Sequence, residues 1–214
     1  MKRPVLFVLA GVNGAGKSSV GGHLLKQAGQ AWFNPDDYAR QLVDVVGCDQ
    51  ARANAAAWEE GVRRLDTAIA NRDTYAFETT LGGTTIPARI RAASVTHDVL
   101  MWYCGLSAVD LHLARVRSRV AAGGHDIPEQ KIHERWTRSI ENLIALQAQL
   151  ALLRVYDNSA EAKPGQPIPD PVLVAEIVGG RLLSPRSVKK LKATPDWAKP
   201  ILEAALVMDE TRRR

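Results

Sequence analysis

The chain has 214 residues, 46% of them hydrophobic, enough to bury a substantial core as one domain with at most a small appendage. A net charge of +5 fits a protein handling anionic small molecules, while an aromatic content of only 6% argues against a nucleic-acid surface, which interleaves basic and aromatic side chains. Cys48 and Cys104 lie far apart without metal-ligand spacing, no stretch approaches the length of a membrane span, and the expected setting is reducing and cytoplasmic.

The start, Met1-Lys2-Arg3 before an apolar run, has the outline of a signal peptide. The run Val5–Ala10 ends at a glycine-rich segment, however, and reads as a first strand. That segment is Gly11-Val12-Asn13-Gly14-Ala15-Gly16-Lys17-Ser18. It matches the phosphate-loop pattern of two glycines with four residues between them, then Lys and Ser, between a buried strand and a helix. Glycines let the backbone turn its N–H groups toward phosphate oxygens, and the helix opening near Lys17 adds its positive end. Lys17 is expected to neutralise the β- and γ-phosphates and Ser18 to hold Mg²⁺. Gly11, Asn13, Gly14, Ala15, Gly16 and Ser19 are further candidate ATP contacts, joined from later in the chain by Arg115 and Asn158.

Further along, a helix is expected over Lys17 to Ala28, then a short strand Ala31-Trp32-Phe33-Asn34 closed by Pro35. Asp36 and Asp37 suit the start of the next helix. The Ala-rich span from about Asp49 to Asn71 reads as a helix with Val62, Leu65 and Ile69 on one face. Thr74–Thr79 is a strand closed by Gly82-Gly83, and Val99–Tyr103 another closed by Gly105. Ser107 is expected to cap a helix to about Ala122, broken by Gly123-Gly124, and Pro128 to stand near the start of a helix reaching Leu152. Arg154–Asp157 is a last short strand before the proline-rich break Pro164–Pro171. The tail beyond it carries a hairpin turning at Gly179-Gly180 and a basic helix after Ser184. Alternating strands and helices predict an α/β fold with a mostly parallel sheet flanked by helices, a helical lid near 112–138 within a core of residues 1–160, and a C-terminal extension, 161–214, packed on that core.

Ligands of parallel α/β sheets bind at the carboxyl ends of strands, so polar residues there carry weight. At Asn34-Pro35-Asp36-Asp37, one aspartate is expected to cap the helix and the other, Asp36, to take a proton from a substrate hydroxyl or orient Mg²⁺ through its water. At Phe77-Glu78-Thr79-Thr80, Glu78 either helps Mg²⁺ or accepts hydrogen bonds from substrate hydroxyls. At Tyr156-Asp157-Asn158-Ser159, polar side chains either contact a nucleobase, Asn158 first among them, or shape a turn.

From His112 to Arg138 the chain holds six Lys/Arg against three acids. Helical spacing puts Leu113, Val116 and Val120 on one buried face and Ile132, Trp136, Ile140 and Leu143 on another. Arg119, Arg135 and, behind them, Arg115 then border the joint, with Arg138 pointing further out. Two helices joined by a glycine turn, with arginines at the joint, suit a lid that steadies transition-state charge and excludes water. His125 in that turn either contacts phosphate or substrate or is inert.

Together these segments resemble the zeta-toxin-like P-loop kinases, in particular the short bacterial branch often labelled predicted ABC-type ATPases, over roughly residues 5 to 160. The resemblance implies ATP/Mg²⁺-dependent phosphorylation of a sugar-nucleotide hydroxyl, such as one of UDP-N-acetylglucosamine, and a small antitoxin protein as partner. It gives Asp36 the role of general base, Lys17 that of the loop lysine, Glu78 with Thr80 that of substrate contacts, and Arg119 that of a phosphate-binding arginine. Gly124-His125 falls where long zeta toxins carry a second such arginine. A kinase for a simple sugar, antibiotic or nucleoside is the nearest alternative. A regulatory ATPase lacks support, because Thr80-Leu81-Gly82-Gly83 only echoes an ABC signature. A polynucleotide kinase would rest on the short basic end Arg212-Arg213-Arg214 alone.

Overall fold

The computed structural model describes residues 2–27, 29–161 and 169–213. Ala28, the Pro164–Ile168 part of the proline-rich break and Arg214 lie outside the described residues, as do the side chains of Arg212 and Arg213. In chain order the elements are β1 (Val5–Ala10), α1 (Lys17–Gln27), α2 (Pro35–Gln41), α3 (Gln50–Asn71), β2 (Tyr75–Thr79), α4 (Thr85–Ala93) and β3 (Asp98–Gly105). They continue with α5 (Val109–Ala121), α6 (Glu129–Leu146), β4 (Leu152–Asp157), β5 (Val172–Val178), β6 (Arg181–Ser184), α7 (Val188–Lys192) and α8 (Lys199–Arg213).

The strands form one sheet in the order β2-β1-β3-β4-β5-β6. β1 pairs in parallel with β2 and β3, and β3 with β4, while the hairpin β5-β6 adds two antiparallel strands on the far edge. The hairpin expected at Gly179-Gly180 is thus part of the sheet. β1 is apolar on both faces because both are covered, as parallel strands require. Leu6 and Val8 face a core with Leu65 of α3, Ile90 of α4, Leu143 and Leu146 of α6 and Ile201 of α8. Leu9 faces the opposite side, toward Leu25 of α1 and Trp102. A fully buried leucine contributes roughly 1.5–3 kcal/mol, so these stripes fix the layers. The result is an α/β P-loop NTPase-like fold with a helical lid, α5 and α6, and a helical C-terminal appendage.

Five local expectations change. The strand at 31–34 shrinks to one parallel bridge, in which Phe33 N–H donates to Ala76 O and Phe33 O accepts from Glu78 N–H, both at 2.9 Å. The chain leaves the sheet immediately because Asn34 is already the cap of α2, with Pro35 in its first turn. α4 has no counterpart in the sequence reading. Pro87 in a short segment after two glycines obscures a stripe of Pro87, Ile90 and Ala93, all buried. Ser107 does not cap α5, whose N-cap position is Ala108; Ser107 N–H donates instead to Ser159 Oγ at 2.7 Å. α6 stops at Leu146 rather than Leu152, because Gln147, held by its Nε2 donating to Ile201 O at 2.8 Å, opens a short 3₁₀ turn and Leu152 already begins β4. Trp136 and Ile140 are only partly buried, and Ser139 takes the fully buried place between them.

α3 has the expected extent, with Asp49 Oδ1 accepting from Arg52 N–H at 2.9 Å. Its interior Gly61 lowers helix propensity by about 1 kcal/mol relative to alanine. A Cβ there would lie 2.9 Å from Phe33 Cε1, so the bare backbone is what seats the Phe33 ring against α3.

Candidate functional site

The glycine-rich loop runs from the end of β1 into α1, which begins at Lys17 as expected. Gly14 and Gly16 have φ of 81° and 83°, in the left-handed region that side chains disfavour. A Cβ on Gly16 would also meet Asn158 Nδ2 at 2.3 Å. The loop is held from outside at several points. Gly11 N–H donates to Thr79 O at 3.2 Å, and Asn158 Nδ2 to Ala15 O at 2.9 Å. Asn13 is held twice: its carbonyl by His112 Nδ1 at 2.8 Å, and its side-chain Oδ1 by Arg135 Nη1, also at 2.8 Å.

His112 was not among the sequence candidates, although it belongs to the basic cluster. Burial pushes its pKa down to about 4, with Lys17 and Arg115 adding to the effect and the bond to Asn13 opposing it. The ring is therefore neutral near pH 7, Nδ1 donates to the carbonyl, and Nε2 is buried without a partner among the described residues. Asn158 and Arg115 brace the loop from the β4 side. Arg115 Nη2 donates to Asn158 O at 2.8 Å and to Ala160 O at 3.2 Å. Ser159 N–H and Oγ both bond Asp157 Oδ1, so this strand end forms a turn under the loop. Ser19 is exposed at the start of α1, its N–H on Gly16 O.

At the loop's end Ser18 Oγ donates to Glu78 Oε1 at 2.7 Å, and Trp32 Nε1 donates to the same oxygen at 3.3 Å. Burial raises the pKa of Glu78, while Lys17, Ser18 and Trp32 pull it down and Asp36 pushes it up. Glu78 therefore sits with Ser18, an all-oxygen pair beside an ammonium.

Neither aspartate at the start of α2 is the cap. Asn34 Oδ1 accepts from Asp36 N–H at 2.9 Å and Asp37 N–H at 3.4 Å, which frees both carboxylates. Asp37 pairs on the surface with Arg40, and Asp36 Oδ2 pairs with Arg119 Nη1 at 3.3 Å. The Nε and Nη2 of Arg119 are buried and have no partner among the described residues. Gly124 N–H closes back on Arg119 O at 2.9 Å, wrapping the glycine turn around the base of this side chain.

Lys17, Asp36, Glu78 and Thr80 border one cleft of about 410 Å³. Phe33, Phe77, Val62 and Ile86 give it apolar walls, Trp58 and Thr85 stand along it, and Lys131, Arg135 and Arg138 line its lid side. Arg138, expected to point furthest out, is exposed yet still borders the cleft. His125 is partly buried in its turn and is not among the lining residues. Ser139 and Asn142, which the sequence reading missed, shape the wall. Ser139 Oγ donates to Thr80 O at 2.7 Å, and Asn142 Nδ2 donates to Leu81 O and Gly83 O at 2.7 and 2.9 Å. Their signal was present, since Ser139 is a polar residue at the centre of a helix's apolar stripe. Among the described residues no three His, Cys, Asp or Glu cluster as metal ligands, and no helix is long and apolar enough to cross a membrane.

No protein-family model matches the chain. An uncharacterised protein of Haemophilus influenzae is 29% identical over 137 residues, covering 64% of this chain and 94% of that protein. Among solved structures, the AvrRxo1-ORF1:-ORF2 complex with ATP superposes with a TM-score of 0.61 at 19% identity, over 91% of this chain and 64% of that one. The PezAT chromosomal toxin–antitoxin system of Streptococcus pneumoniae gives 0.57 at 14% identity, over 95% and 89%. At these identities the likeness is one of architecture, and it does not single out the zeta-toxin branch. What the chain shares with these structures is the α/β P-loop NTPase-like fold.

Proposed function

We propose that this protein is an ATP- and Mg²⁺-dependent small-molecule kinase of zeta-toxin type, which transfers the γ-phosphate to a hydroxyl of a sugar nucleotide such as UDP-N-acetylglucosamine. The observation that carries the reading is that the loop lysine, Lys17, and an uncapped carboxylate, Asp36, open onto the same cleft. In this reading Lys17 and the loop N–H groups hold the phosphates. Asp36 takes the proton of the acceptor hydroxyl as its oxygen bonds to the γ-phosphorus and the bond to the β,γ-bridging oxygen breaks, releasing ADP. Arg119 and Arg135 steady the charge that develops. Ser18 and Glu78 suit a small, hard cation with oxygen ligands, and Mg²⁺ there would supply neutralisation of phosphate charge.

The acceptor class is supported by the rest of the cleft. Thr80 can bond a sugar hydroxyl, Trp58 offers an aromatic face, and Lys131 and Arg138 offer charge to a diphosphate. His125 stands outside the cleft lining and takes no role in this reading, while Asn158 and Arg115 are assigned to support of the nucleotide loop. A small inhibitory protein partner fits the same reading, since the PezAT structure is of a toxin–antitoxin system. The test is radiolabel transfer from γ-labelled ATP to UDP-N-acetylglucosamine, set against simple sugars, aminoglycosides and nucleosides. Labelled sugar nucleotide is expected. Failure of every acceptor to stimulate ATP consumption would overturn the kinase reading.

A further inference from the structure

Trp32 lies outside every role assigned so far, yet its position follows from the single bridge between Phe33 and Phe77. Side chains alternate across a strand, and a one-residue slip would exchange the faces. With Phe33 paired to Phe77, Phe33 and Phe77 both turn toward the main core, and Trp32 and Glu78 stand together on the side of α1. There the Trp32 ring lies against Gly22, where a Cβ would come within 3.0 Å of Cη2. The indole is therefore wedged between α1 and the end of β2, with its N–H on Glu78.

We propose that Trp32 is the positioning residue for Glu78. Its indole N–H and the Ser18 hydroxyl converge on one carboxylate oxygen, Oε1, at 3.3 and 2.7 Å. Oε2 has no donor among the described residues and is the oxygen left to a divalent cation or to that cation's water. A carboxylate free to rotate would present either oxygen. Two donors on one oxygen fix which is offered, so the cation finds a pre-set ligand. The inference rests on the kinase reading, because it takes Glu78 to serve the metal side of the site.

The molecule contains its own control. Trp102 belongs to the same apolar cluster as Trp32, stacks on Phe7, and has a buried Nε1 with no partner among the described residues. Trp32→Phe and Trp102→Phe both trim an indole in this cluster, but only the first removes a hydrogen bond to Glu78. The experiment titrates Mn²⁺ into the full-length protein with saturating ATP, following protein-bound Mn²⁺ by the enhancement of water-proton relaxation over that of Mn²⁺ with ATP alone, and tryptophan emission in parallel. Trp32→Phe is expected to weaken Mn²⁺ binding roughly three- to tenfold, the worth of one ordinary hydrogen bond. It should also remove the Mn²⁺-dependent part of the emission change, while Trp102→Phe keeps both. Equal weakening in the two variants would make the effect one of packing and overturn the inference, as would a Trp32→Phe protein that binds like the parent. A parent protein that holds no Mn²⁺ in the presence of ATP would instead overturn the kinase reading itself, and this inference with it.

Discussion

Arg119 Nη1 and Asp36 Oδ2 meet at 3.3 Å across 83 positions of sequence, joining the lid to the start of α2. One atom of the guanidinium is engaged, while its two buried nitrogens have no partner among the described residues, so the ion pair joins lid and α2 with donors of this arginine still unmet. Asp36→Asn should lower phosphoryl transfer roughly 10²–10⁴-fold, the usual effect of losing a general base, with ATP affinity little changed. Calorimetric ATP binding beside steady-state turnover checks this. Near-normal turnover would remove Asp36 from the base role.

Gly16→Ala should weaken ATP binding roughly tenfold, because left-handed backbone strains a residue with a Cβ by about 1–2 kcal/mol. The new methyl would also meet Asn158. Adding Asn158→Ala clears the contact but not the dihedral, so the double variant should regain at most part of the affinity. Full recovery would show that crowding, rather than backbone conformation, governs the loop.

His112 gives stability a pH dependence whose sign can be worked out. Its folded pKa, about 4, lies below the ordinary value of 6.5, so the unfolded chain takes up the proton first. The neutral ring's full contribution is present above about pH 6.5 and is lost as pH falls toward 4, by up to ~3 kcal/mol. Urea denaturation between pH 7 and pH 4.5 should show this loss, and His112→Gln should flatten it. Parallel curves for the two proteins would place the acid sensitivity elsewhere.

Ser139→Ala should destabilise the fold by about 1–3 kcal/mol, since Thr80 O and the buried Tyr103 hydroxyl would both lose their partner. Chemical denaturation measures it. The loss should be accompanied by a raised KM for the acceptor, because Thr80 borders the cleft, with ATP binding unchanged.

The glycine loop, the helix following it and the start of α2 at its two aspartates were legible in the sequence because each depends on neighbours in the chain, whereas the cap itself proved to be Asn34. So were the central strands, whose apolar runs need no partner to be recognised. Side chains that act across the fold were not legible. Nothing near His112 announces that its ring will meet Asn13 O, 99 positions away, and nothing near Asn34 tells that its cap will release Asp36 for Arg119. Asn158 is open to a ligand role or a turn role in the sequence, and its bond to Ala15 O, 143 positions away, joins it to the glycine-rich loop. α4 was lost for a local reason, since nine residues containing a proline give too few repeats for periodicity to register.

The missing side chain at residue 61 has a consequence for the range of acceptors. Gly61, Phe33 and Val62 share the wall of the cleft, and the ring can rest where it does only because α3 is bare at that point. A methyl group there would lie 2.9 Å from Phe33 Cε1, so the ring would have to move. The width of this part of the cleft is thus set by an absence, and on the kinase reading one substitution at residue 61 would change which hydroxyl compounds fit, touching neither phosphate nor proton.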